Sequence, residues 1–155
     1  MLLQRDRYDP SVLLAQLSGQ VPSKDVTEWC FTFRCSDPEN EVYDFWAYLP
    51  DDEGKHEKSR ILLADFLTHL REFDNLAQAT IESDYQRASR QPPRGVTIRL
   101  QDYQLHIGWM RVVDPVVIVR YWGTHVNTEW ETGYRRSDDG RWTVVETDYG
   151  KTHAP

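Results

Sequence analysis

Long hydrophobic runs are missing from this chain. Uncharged apolar stretches such as Ile61–Ala64 and Pro115–Val119 are only a few residues long, whereas a membrane-spanning helix needs about 20 residues. Arg5, Asp6, Arg7 and Asp9 also interrupt the stretch where a signal peptide carries its apolar core. No membrane span is expected, and a cytoplasmic location is. Cysteine is scarce. Cys30 and Cys35 lie in an alternating segment, where extended backbone would put them about 16 Å apart on opposite faces. A disulfide needs Cα atoms within about 7 Å, and two thiols make neither a disulfide framework nor a four-ligand zinc site. The eight Gly are scattered, with no GxGxxG, GxxxxGKS/T or GxSxG fingerprint, so the phosphate-cradling and nucleophile-elbow classes lose their support. Basic residues are in deficit, 18 Lys and Arg against 25 Asp and Glu, for a net charge of −7. Duplex binding draws its affinity from Lys and Arg on phosphates; a basic protein is the better-matched partner.

Aromatics, in contrast, are plentiful: six Trp, eight Tyr and five Phe in 155 residues. That composition folds, and the length suits a single domain over residues 1–155. Val12, Leu13, Leu14 and Leu17 follow Asp9-Pro10 and precede Gly19, the signature of a short helix with Pro near its start and a Gly stop. Trp29, Phe31 and Phe33 alternate with Cys30, Thr32 and Arg34, and after the turn residues Ser36–Asn40 the segment Val42–Leu49 alternates likewise. These predict an antiparallel hairpin. From Ser59, Leu63, Phe66, Leu67, Leu70, Ala77 and Ile81 keep helical spacing to Tyr85, which predicts one helix about 40 Å long, capped by Ser59. Gln86–Gly95, with Pro92-Pro93, reads as a loop. Strands are expected at Val96–Leu100, Leu105–Val113, Val116–Trp122, Val126–Arg136 and Trp142–Glu146, separated by turn residues such as Asp114-Pro115 and Ser137–Gly140. The fold class implied is α+β: an antiparallel sheet, made of the N-terminal hairpin and a C-terminal meander, packed on one long helix. A frayed C-terminal tail completes the chain.

Chemistry-bearing residues are few. No HExxH pair exists among the five His. His106 and His125 fall on neighbouring strands, with Glu129 and Glu131 after them, so a His–carboxylate pair is one reading and solvent-facing strand residues the other. Glu129 and Glu131 share a strand face about 7 Å apart, a glycosidase-like separation that a solvated face shows equally. Asp51-Asp52-Glu53 lacks the spaced ligands of a calcium loop. No cofactor or metal is called for. More distinctive is the pairing of rings with acids. If Tyr43, Phe45, Ala47 and Leu49 face the helix, then Asp44, Trp46 and Tyr48 face outward, beside the connector Asp51-Asp52-Glu53. Glu129 and Glu131 extend that patch if their strand shows the same face. Aromatic anchors in a field of carboxylates suit a basic protein partner.

Leu70-Arg71-Glu72-Phe73-Asp74-Asn75, Gly123, Val126-Asn127-Thr128-Glu129-Trp130 and Gly140-Arg141-Trp142 resemble bacterial proteins found among toxin-immunity loci. The resemblance covers about half the chain and implies a small, acidic, non-catalytic α+β protein that binds and neutralises one cognate toxin. The alternative is a small-ligand enzyme or binding domain, with a sheet–helix pocket using His106 or His125 as in the cone-shaped nuclear-transport-factor-like fold. Those cones usually begin with helices, whereas here a hairpin precedes the main helix. A plain structural or oligomerisation role is a third reading.

Overall fold

The computed structural model describes residues 8–36, 42–88, 105–123 and 126–145. Helix α1 (Pro10–Ser18) begins as its sequence requires: the Asp9 carboxylate accepts the Ser11 amide at 3.0 Å and Pro10 occupies the first turn. Leu13 and Leu17, one turn apart, are its buried residues. Three exposed residues, Ser23–Asp25, form β1, an edge strand absent from the sequence-based expectation. Strands β2 (Glu28–Ser36) and β3 (Val42–Tyr48) make the expected antiparallel hairpin, with Phe33 opposite Phe45 and Phe31 opposite Ala47. The strict two-residue period sends these side chains to one face, where the Phe33 and Phe45 rings stack with centroids 5.0 Å apart.

The helical region departs from expectation. After a single 3₁₀ turn (Glu53–Lys55), whose start Asp52 caps through the Gly54 amide, the chain forms two helices: α2 (His56–Thr68) and α3 (Leu70–Ala88). His69 leaves helical geometry at φ −102° and ψ 7°. Thr68 donates its hydroxyl to the Ala64 carbonyl at 2.9 Å, a back-bond that bends and weakens helix ends. The apolar stripe continues across the break, with Phe66, Leu67 and Leu70 all fully buried, so spacing alone reads as one helix. Ser59 is no cap; it sits inside α2, 1% exposed.

Strands β4 (Leu105–Val113), β5 (Val116–Gly123), β6 (Val126–Arg136) and β7 (Trp142–Val145) form the antiparallel meander. The turn Ser137–Gly140 closes β6 to β7, and Gly140 takes φ +87°, which favours glycine. The seven strands lie side by side in chain order, and the sheet is mixed: β3 pairs with β4 in parallel, Trp46 beside Trp109 and Ala47 beside Met110. A wholly antiparallel sheet was expected. The helices intervene between β3 and β4 and return the chain to the end where β3 began, so β4 runs in the same direction. The expected strand Val96–Leu100 lies outside the described residues, as do the C-terminal tail and most of the expected loop Gln86–Gly95.

The helices cover the face bearing Phe31, Phe45, Met110, Val119 and Tyr134. Within this layer the buried Asp74 carboxylate accepts the Tyr121 hydroxyl at 3.0 Å and the Gln78 amide at 2.7 Å, which satisfies a group otherwise expensive to bury. Tyr8 accepts the Ile107 amide at 2.7 Å, tying the start of the described chain to β4. Along the outer edge of β2, two side-chain amides stand in for a strand. Gln16 exchanges bonds with the Arg34 amide and carbonyl at 2.8 and 2.9 Å. Gln20 does the same with Thr32 at 3.0 and 2.8 Å. No helix among the described residues is long and apolar enough to cross a membrane.

Leu67→Ala is expected to cost about 2–5 kcal/mol in urea denaturation, because Leu67 is fully buried. Leu76→Ala, at a position 52% exposed, is expected to cost less than about 0.5 kcal/mol. Equal effects would contradict the assigned helix face.

Candidate protein-binding face

The sheet face opposite the helices gathers side chains from the central strands. On β3 the outward residues are Asp44, Trp46 and Tyr48, as the alternation predicts, with Phe45, Ala47 and Leu49 buried beneath. The parallel seam sets Trp46 beside Trp109 and Tyr48 beside Arg111. Across β4 and β5, Trp109 pairs with Arg120 and His106 with Trp122; across β5 and β6, Arg120 pairs with Glu131 and Trp122 with Glu129. The condition for Glu129 and Glu131 to join the face, the same sheet and the same side outward, is met. Trp122 is 42% exposed, and Trp46, Tyr48 and Trp109 are half-buried.

A bulge between Ile107 and Trp109 makes this row possible. It inserts Gly108, so that Ile107 and Met110 both face the core while Trp109 faces out. A Cβ on Gly108 would lie 2.4 Å from Trp122 Cδ1; only glycine lets the indole rest on the backbone there. The His106 ring packs between Tyr43 and Trp122, at centroid distances of 4.7 and 4.5 Å.

Half of the expected carboxylates, Asp44, Glu129 and Glu131, are already neutralised. Asp44 accepts Arg34 Nε at 2.9 Å, and this hydrogen bond holds its carboxyl below the usual range. Glu28 binds Arg111 at 3.0 Å. Arg120 grips two acids, Glu129 Oε2 through Nη1 at 2.8 Å and Glu131 Oε1 through Nε at 2.7 Å and Nη2. The Glu131 side chain is 2% exposed, so it offers no charge to a partner; burial against Arg120 overturns its assignment as a surface carboxylate. The same guanidinium lies over the Trp109 ring at 4.8 Å, and that of Arg111 over Tyr48 at 5.1 Å.

Uncompensated negative charge sits at one end of the face. Asp51, Asp52 and Glu53 are exposed and form no ion pair among the described residues, although Asp52 also caps the 3₁₀ turn. At that end the Tyr48 phenol is pushed up, first by burial and then by Asp25 and Glu28.

Glu129 and Glu131 share one arginine. Burial pushes the Cys30 thiol up, against the thiolate form a nucleophile needs. Among the described residues no His, Cys, Asp and Glu side chains group to hold a metal. His125 lies outside the described residues. Trp109 and Arg111 are the members that sequence reasoning missed. The one available signal was Gly108, since a Gly inside a strand pattern marks a bulge that shifts the register of faces.

Arg120→Ala is expected to destabilise the protein by about 3–5 kcal/mol, because it strands the buried Glu131. Glu129→Ala, at the solvent side of the same cluster, is expected to cost about 1 kcal/mol or less. Adding Glu131→Gln to Arg120→Ala should recover much of the loss in urea denaturation. If Arg120→Ala costs no more than Glu129→Ala, the buried pair is not what holds the cluster.

No protein-family model, curated protein or solved structure matches this chain.

Proposed function

We propose that the chain is an immunity-type protein of the cytoplasm that docks its open sheet face on a basic toxin domain and neutralises it by occlusion. One observation carries this reading. Trp46, Tyr48 and Trp109 cluster on the face opposite the helices, and Trp122 stands on the same face against His106. Large rings held rigidly by neighbouring strands supply contact area at low entropic cost, as binding hot spots require. Guanidinium groups stacked on them give the face a polar surface in the unbound protein. The exposed Asp51-Asp52-Glu53 connector and the net charge of −7 supply long-range attraction for a cationic partner. The resemblance to immunity-locus proteins supplies the biological class.

Co-expression with the product of the neighbouring reading frame tests this. Growth arrest by that product alone, relieved by this chain, is the expected result. In the purified pair, Trp109→Ala should weaken binding by about 30-fold or more, near 2 kcal/mol, with circular dichroism unchanged. Asp51→Ala with Asp52→Ala should slow association and flatten its dependence on ionic strength while leaving dissociation nearly unchanged. A folded Trp109→Ala protein that neutralises at full strength would place the interface elsewhere.

A further inference from the structure

The connection between β1 and β2 consists of Val26 and Thr27, between the paired residues Asp25 and Glu28. The favoured two-residue hairpin turns place positive φ at their first central position, where Gly, Asn or Asp is the usual residue. Val26 holds that position at φ +57°. A branched Cβ crowds the backbone there, so valine is strained in a conformation that glycine or asparagine adopts with little cost. No packing within the fold offsets the strain, because Val26 is 92% exposed. A singly exposed valine needs no explanation; one held at positive φ does, since strain of this kind concentrates at functional positions.

The turn stands at a corner of the open sheet face. Ser23 pairs with Cys30 and Cys30 with Tyr48, so alternation puts Asp25 and Glu28 on the same side as Tyr48. Glu28 binds Arg111 at 3.0 Å, and the Arg111 guanidinium lies over the Tyr48 ring at 5.1 Å. These contacts join the base of the turn to the aromatic cluster. Because β4 runs parallel to β3, Val113 emerges at the same end of the sheet, on the side of Arg111, and is 52% exposed. Two exposed valines therefore flank Tyr48. Asp25 is exposed and forms no ion pair among the described residues. Lys24 is turned to the other side, over the Trp29 ring at 5.4 Å, so the charge that the turn shows on the open side is negative.

We propose that Val26 is an anchor of the protein-binding face, entering an apolar groove of the basic partner domain while a lysine or arginine at the edge of that groove meets Asp25. The inference rests on the reading of the open face as the toxin-binding surface, and it extends that surface past β3 to the sheet edge. A tight turn fixes the side chain before binding, so little freedom is lost on docking. The net charge of −7 favours a cationic partner over a second copy, whose own acids would face Asp25.

Three variants of the full chain test this, each measured for its urea midpoint and for affinity to the product of the neighbouring reading frame. Val26→Asn, which adopts positive φ readily, should raise the midpoint by about 0.3 M or more and weaken binding by about 10-fold. Val26→Thr keeps the shape and the branching but loses apolar surface. Its midpoint should stay within about 0.2 M of the parent, with binding about 5-fold weaker or worse. Val26→Ile should retain both properties. A purely structural role would not make stability and affinity move in opposite directions, as Val26→Asn is expected to do. A midpoint that fails to rise in Val26→Asn would overturn the inference. So would full-strength binding by Val26→Asn and Val26→Thr while Trp109→Ala binds weakly, a result that leaves the reading of the face intact. Self-association that depends on Val26 in sedimentation would assign the turn to a second copy and overturn the proposed partner. If the parent chain neither binds nor neutralises the product, the reading of the whole face falls, and this inference with it.

Discussion

A connection between adjacent parallel strands has to cross one face of the sheet, and here the crossing from β3 to β4 is made by α2 and α3. That geometric requirement decides the character of both faces. The helices bring Phe66, Leu67 and Leu70 onto the face that already carries Phe31, Phe45 and Val119, and the core forms there. The same crossing leaves the other face open along its centre, and the seam between the two halves of the sheet sets Trp46 beside Trp109. Covered core and open aromatic row are two results of one connection.

Charge on the open face is largely self-contained. Arg34, Arg111 and Arg120 each hold an acid, and Arg120 holds two while covering Trp109. Removing such an arginine exposes a ring and strands an acid together, so packing and electrostatics on this face cannot be varied separately. The free charge is displaced to the rim: carboxylates on the connector after β3, and just beyond them Lys55 of the 3₁₀ turn and Lys58 of α2.

Local periodicity was readable wherever the backbone kept it. The alternation of Val42–Leu49 separated the two faces of β3, and that of β6 set Glu129 and Glu131 on one face, opposite Trp130 and Tyr134, which the structure buries. Four features escaped for the same reason: each depends on a departure from regular spacing or on a distant partner. His69 interrupts a helix without disturbing its apolar stripe. Gly108 adds one residue to β4 and so reassigns Trp109. Glu131 looks like any exposed strand carboxylate until Arg120 is placed across from it, and the parallel seam cannot be inferred from strands that are each compatible with either direction.

The glutamine clamp on β2 also determines how other chains can approach. An unpaired strand edge is a template for another strand, whether from a partner or from an unfolding copy of the same chain. Beyond the three residues paired with β1, the edge at Thr32 and Arg34 is already occupied by the side-chain amides of Gln16 and Gln20. Strand addition is closed at that stretch of β2. The clamp thus removes from β2 the row of free backbone groups that a further strand would need.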